Sequence, residues 1–169
     1  MISSEELGER LLLRSGSRAD LQALLQIERV CFVGDYARHR FRSAEFSAYL
    51  RNPSAIFQLA VVAGHPIGYV AGTVRRTHGI ARARLESIAV MPEWRVRRIG
   101  EELLGWFLQE TRRREASRLT LEVAASNTLG REWFARAGFH ETRQLRDYYG
   151  VGVDGVEMTM GYFTPTRAS

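Results

Sequence analysis

Arg95, Arg97 and Arg98 crowd a short turn between an apolar run and an amphipathic one, and Gly100, Glu101 and Glu102 follow them directly. Ile88, Ala89 and Val90 predict a strand that Met91-Pro92 stops, because proline has no N–H for a ladder and disfavours helix just before it. The amphipathic run then predicts a helix from about Arg98 to Glu115, with Ile99, Leu103, Leu104, Phe107 and Leu108 on one face. Strand, basic turn and helix start together bind anions. Unpaired N–H groups point out of a helix N-terminus, and the helix dipole places roughly half a positive charge there. Three arginines at that end favour a polyanion with several phosphates.

The charge distribution singles out the same place. The chain of 169 residues carries a net charge of +5, all of its positive charge from arginine. Residues 61–118 hold 11 arginines against 6 acids, which is the whole excess. Nucleic acid would also suit a basic patch, but no interleaving of arginine with aromatics accompanies it, and no nucleic-acid partner is expected. The four histidines have no ligand spacing, so no metal is expected. With Cys31 as the sole cysteine no internal disulfide can form, which fits a cytoplasmic location, and Cys31 reads as a small residue near a helix face. No apolar run approaches the ~18–20 residues that span a membrane, and the acidic, polar start M-I-S-S-E-E-L-G-E-R is unlike a secretory signal.

The elements that must position this turn form one domain over residues 1–169, with a core from about 11 to 163. Leu11 to Arg14 reads as a first strand, and Ser17 or Asp20 can cap a helix carrying Leu21, Leu24, Leu25 and Glu28. Cys31 to Arg42 reads as a loop or broken helix, and Ser43 caps a short helix with Phe46, Tyr49 and Leu50 on one side. Ile56–Val62 and Ile67–Val74 predict a hairpin turning at Gly64-His65-Pro66, with Arg82–Val90 pairing next. Leu119–Val123 alternates as a fifth strand, Ser126-Asn127 opens a helix ending at Gly138, and Phe139–Tyr149 and Val156–Phe163 form a last pair. The class is a mixed α/β domain without repeats or linkers.

Three signatures on these elements are S-I-A-V-M-P-E-W-R-V-R-R-I-G-E-E-L-L, L-E-V-A-A-S-N-T-L-G-R-E-W-F-A-R-A-G-F, and L-R-D-Y-Y followed by D-G-V-E-M-T-M. Their order and spacing resemble the GCN5-related N-acetyltransferase (GNAT) superfamily from about Leu11 to Phe163, nearest the bacterial ribosomal-protein-alanine N-acetyltransferase (RimI-type) branch. The resemblance implies an acyl-CoA N-acyltransferase fold of about seven strands and four helices, its mixed sheet splayed between strands 4 and 5. It implies an acetyl-CoA-dependent transfer to a primary amine, the α-amine of a protein or peptide, by direct attack. Acceptance of a small amine or a lysine side chain is the alternative, as is a CoA-binding module with weak catalysis. The superfamily often dimerises, so a homodimer is compatible with the resemblance.

By the same resemblance the polyanion is acetyl-CoA. Its phosphates fall to Arg95, Val96, Arg97, Arg98, Ile99, Gly100 and Glu101, and its pantetheine arm to the backbone of Ile88, Ala89 and Val90. Where the family usually has the middle glycine of the turn this chain has Arg98, which implies either an ordinary backbone conformation there or a turn that binds more loosely. Asn127 falls where relatives contact the cofactor near its thiol, and it also reads as a helix N-cap. Glu122 matches the family's general base; it is also a charged residue in a strand of apolar partners, and a solvent-facing glutamate is the alternative. The proton donor is commonly a tyrosine where this chain has Phe134, which has no proton to give, so water or Tyr148 or Tyr149 would have to serve. Those two tyrosines match residues lining the acceptor site, and Glu28, Phe32 and the basic loop through Arg42 fall on one wall of it. The arginines at 38, 40 and 42 suggest an acidic or C-terminally negative acceptor, a solvated loop being the alternative.

Overall fold

A computed structural model describes residues 10–161. Its seven strands are β1 (Leu12–Arg14), β2 (Ala55–Val62), β3 (His65–Thr77), β4 (Ile80–Val90), β5 (Ala116–Ala124), β6 (His140–Gly150) and β7 (Val153–Gly161). Four α-helices accompany them: α1 (Leu21–Cys31), α2 (Ser43–Tyr49), α3 (Ile99–Arg113) and α4 (Thr128–Arg136). Single 3-10 segments cover Arg18–Asp20, Gly34–His39 and Pro92–Arg97. The sheet runs β1-β2-β3-β4-β5-β7-β6, and every described neighbour pair is antiparallel except β4 with β5. Phe163 lies outside the described residues. No helix among the described residues is long and apolar enough to cross a membrane.

Both faces of the sheet are covered over β2 and β3, which is why these strands read as near-continuous apolar runs, whereas β4 and β5 alternate apolar with polar or charged residues. On one face α3 buries Ile99, Leu103, Leu104 and Phe107 against Val70, Leu119 and Leu121. On the other, α1 and α2 bury Leu24, Ile27 and Phe46 against Leu59, Tyr69 and Ala89. At about 25 cal/mol per Å2 of apolar area, each of these side chains contributes roughly 1.5–3 kcal/mol to holding its helix down.

Two local expectations change. The β2–β3 turn is Ala63-Gly64 (φ 52° and 80°), and His65-Pro66 already belong to β3. Two left-handed residues match the twist of the flanking strands, and Pro66 is tolerated because the register slips between Ala60 and Val61. Ser43 is the first residue of α2 rather than its cap. Arg42 takes the cap position, its backbone N–H donating to Glu45 Oε2 at 3.0 Å.

The feature that matters for function is an opening in the sheet. β4 pairs with β5 only from Ala81↔Ala116 to Arg84↔Thr120, whereas β5 stays on β7 as far as Ala124↔Gly155. The divergence begins at a bulge: Ala71 faces Ser87 and Gly72 faces Leu85, leaving Glu86 as the extra residue on β4. A bulge bends its strand and sharpens the local twist, which turns β4 away from β5. Gly72 makes room for that bend. A Cβ there would stand 2.2 Å from the Arg84 carbonyl oxygen and 2.5 Å from Phe107 Cζ.

Candidate active site

Beyond Arg84 the outer edge of β4 is free of a neighbouring strand. Met91 N–H donates to Ile67 O at 2.8 Å on the β3 side. Successive amides of a strand point to opposite edges, so the Val90 N–H faces the opening. The Val90 carbonyl on that edge accepts from Arg95 Nε at 3.0 Å and from Cys31 Sγ at 3.4 Å, which holds the edge in place. Burial raises the Cys31 thiol above its ordinary pKa, as suits a packed residue rather than a nucleophile.

The basic turn departs from its expected geometry. Arg98 is not in an ordinary conformation; it adopts the left-handed region (φ 60°, ψ 13°) as the N-cap of α3. The Glu102 N–H donates to Arg98 O at 3.1 Å, so the first turn of α3 is intact. Arg98 Nε pairs with Glu101 Oε2 at 2.6 Å across an exposed surface. The Arg97 guanidinium lies 4.5 Å over the Trp94 ring. Between this turn and α4 runs a groove of about 670 Å3, lined among others by Val96, Arg98, Gly100, Glu101, Gly130 and Trp133. Ile99 turns its side chain into the core, leaving its backbone to the turn.

A second cavity of about 380 Å3 fills the opening between β4 and β5. Glu28, Phe32, Tyr36, Glu122 and Tyr149 are on its wall. Glu122 faces this cavity and is not solvent-facing: its side chain is 14 % exposed and its carboxylate pairs with Arg84 at 2.9 Å. Burial raises the Glu122 pKa above the usual carboxylate value, opposed by the positive charge of Arg84. Glu28 is almost wholly buried, accepting from the Phe41 N–H at 2.7 Å and from the Tyr69 hydroxyl, and burial raises its pKa as well. Tyr149 is buried against Tyr36, edge to face with centroids 5.1 Å apart. Tyr148 is on the other side of this pair: it is exposed, is absent from the chamber wall, and its hydroxyl accepts from Arg84 Nη2 at 3.1 Å.

The groove and the chamber share Ile88, Ala89, Val90, Arg95, Asn127 and Phe134. Asn127 does cap α4, its Oδ1 accepting from the Gly130 N–H at 3.0 Å. Phe134 packs between Trp133 and Phe139 with its ring at the junction. An extended donor lying from the α3 turn along the edge of β4 would therefore bring its reactive end to a chamber that holds a carboxylate.

A family model described as acetyltransferase (GNAT) family matches residues 21–139, a span that holds the basic turn, the splayed ends of β4 and β5, and the lining of both cavities except Tyr149. The chain belongs to the GNAT acetyltransferase family. It is accordingly an acyltransferase that uses acetyl-CoA. An uncharacterized N-acetyltransferase of Methanocaldococcus jannaschii is 28 % identical over 152 residues, covering 88 % of this chain and 90 % of the relative. An N-alpha-acetyltransferase of Sulfurisphaera tokodaii is 25 % identical over 160 residues, 89 % and 93 % of the two chains. The crystal structure of the ribosomal-protein-S18-alanine N-acetyltransferase of Escherichia coli shares the fold at a TM-score of 0.77 and 21 % identity, covering 95 % of this chain and 99 % of its own.

Within this GNAT fold the structure adds residues that the sequence reading passed over. Tyr36 and His39, on the 3-10 segment Gly34–His39, reach the chamber from what reads as a featureless basic loop. Arg84 orients Glu122 although it comes from β4, 38 residues earlier. The signal available for Tyr36 was an aromatic in an otherwise polar stretch, and for Arg84 a cation on the strand preceding the basic turn. Neither is specific without the pairing of strands.

Proposed function

We propose that this GNAT acetyltransferase acts on the α-amine of a protein or peptide N-terminus, with Glu122 as general base. The observation that carries the reading is the meeting of two cavities at one open strand edge. The groove side offers the α3 turn, with Arg95 and the backbone from Arg98 to Glu101, for the phosphates of acetyl-CoA, and the N–H of Val90 for the thioester end. The chamber side offers Glu122 to accept a proton from the amine, directly or through water. An N–H aimed into the opening stabilises negative charge that develops on the attacked carbonyl.

Amine chemistry favours the α-amine. Its pKa is ~7.7–8.0 against ~10.4 for lysine, so far more of it is neutral near pH 7. Phe32, Tyr36 and Tyr149 line a chamber suited to the end of a chain, and the relative from Sulfurisphaera tokodaii is named an N-alpha-acetyltransferase. A cytoplasmic setting, where such amines and acetyl-CoA occur together, agrees with a chain holding one cysteine.

The test is release of CoA thiol from acetyl-CoA with a panel of peptides, free lysine and polyamines, with the site of acetylation read by mass spectrometry. Peptides modified at the N-terminus are the expected acceptors. Transfer confined to polyamines or lysine side chains would move the acceptor class, and thiol release with none of them would remove the proposal.

A further inference from the structure

Aminolysis of a thioester expels a thiolate, and a thiolate that stays charged in a closed chamber can re-add to the carbonyl. Water can supply a proton, and a side chain on the chamber wall that holds a transferable one supplies it without waiting for solvent. Phe134 is at the junction of groove and chamber and has no such proton. Ser87 Oγ is engaged with the Tyr69 hydroxyl at 2.7 Å. The Tyr148 hydroxyl is turned to Arg84, outside the chamber wall. Tyr149 is buried, which raises its pKa and makes loss of its proton harder.

Tyr36 is arranged differently. Its hydroxyl oxygen accepts two hydrogen bonds, from the Ala124 backbone N–H at 2.9 Å and from Asn127 Nδ2 at 3.0 Å. The Asn127 amide cannot be turned round, because its Oδ1 is occupied by the Gly130 N–H. A hydroxyl has two acceptor lone pairs and one proton. Both lone pairs are used, and among the described residues the proton has no acceptor. Tyr36 forms part of the chamber wall, so its proton is available to a group bound there. Two N–H groups already aimed at the oxygen also stabilise the charge it takes up when the proton leaves.

We infer that Tyr36 is the catalytic proton donor to the departing CoA thiolate, a role that Phe134 has no hydroxyl to fill. The inference rests on the acetyl-transfer reading above. As the amine nitrogen forms its bond to the acetyl carbon and the C–S bond breaks, sulfur leaves with the bonding electron pair and takes the Tyr36 proton. Glu122 takes the proton that the amine loses. Solvent then reprotonates Tyr36 and receives the Glu122 proton, so the products are the amide and free thiol.

The experiment compares wild type, Tyr36→Phe and Tyr36→Phe/Phe134→Tyr in two assays. With the best peptide acceptor, Tyr36→Phe is expected to lower kcat about 10- to 100-fold, with the KM for acetyl-CoA within about twofold, and Phe134→Tyr is expected to recover most of the loss. The second assay is calorimetric binding of CoA and of desulfo-CoA, which carries hydrogen in place of the thiol. Wild type should prefer CoA by about 3- to 10-fold, the worth of one hydrogen bond, and Tyr36→Phe should lose that preference while binding desulfo-CoA as before. Unchanged kcat, or equal weakening of both ligands without rescue, would overturn the role of Tyr36. Absence of turnover in wild type with every amine would instead overturn the acetyl-transfer reading, and the binding comparison would still report on Tyr36.

Discussion

Along β4 the cleft presents backbone: the Val90 N–H, the Val90 carbonyl held by Arg95 and Cys31, and the first amides of α3 behind a left-handed Arg98. Across the opening it presents side chains, Glu28, Tyr36, Glu122 and Tyr149, drawn from positions more than a hundred residues apart. The two sides answer to different rules. A groove made of main chain depends on the path of the strand and tolerates changes in the side chains that cover it. A chamber made of side chains depends on their identity and tolerates changes in the path. On the proposed function that division matches what each side would recognise: a donor common to a whole family on one, a variable amine on the other.

The largest expected effect tests the side-chain half. Glu122→Gln keeps the shape of the carboxylate and removes its charge and basicity, so turnover should fall about 100-fold near pH 7, while acetyl-CoA affinity changes little. In wild type the rate should fall as the pH drops through the Glu122 pKa, which burial places above the ordinary carboxylate value, because the protonated acid accepts nothing. Glu122→Gln should lack that acid limb. The same raised pKa makes the folded state hold its proton more tightly than the unfolded chain, so ionising Glu122 opposes folding: that contribution to stability is present at low pH and is lost as the pH rises through the folded value. A near-unchanged rate with the acid limb intact in a pH–rate profile would break the assignment of chemistry to this side.

A smaller effect tests the backbone half. Gly72→Ala puts a methyl group against the Arg84 carbonyl and the Phe107 ring, at the point where β4 bends. Overpacking of this kind costs about 1–3 kcal/mol, and relief requires β4 to straighten, which narrows the opening. The expectation is a lower midpoint in urea together with a raised KM for acetyl-CoA. If stability falls but the KM does not move, the bulge supports the core without shaping the groove.

This division also explains what could be read from the chain alone. The donor side is written in contiguous residues: an apolar strand, a proline stop, a basic turn and an amphipathic helix are local patterns, and Ile88 to Glu101 names them in order. Seven strands and the splay followed from the family likeness, and β4 and β5 do part where the likeness implies. Tyr36 was not legible, because its role comes from meeting Ala124 and Asn127, which lie 88 and 91 residues away. Tyr148 and Tyr149 are adjacent in sequence and nothing local separates them. Only the packing of β6 against the 3-10 segment buries Tyr149 and leaves Tyr148 to Arg84.

Arg98 gives the smallest effect and the sharpest form of the comparison. Its side chain is 83 % exposed and tied to Glu101, while its backbone holds a conformation in which a Cβ is unfavourable. If the groove is read through its backbone, Arg98→Gly should raise the melting temperature, since glycine takes φ near 60° without that penalty. Acetyl-CoA affinity should change by less than about threefold at 0.15 M salt, because an exposed charge near the turn is screened and the amides remain where they were. Titration of acetyl-CoA at two salt concentrations separates the contributions. A loss much larger than that, steepening at low salt, would mean that the Arg98 guanidinium leaves Glu101 for a phosphate, and the donor side would then also be read by a side chain.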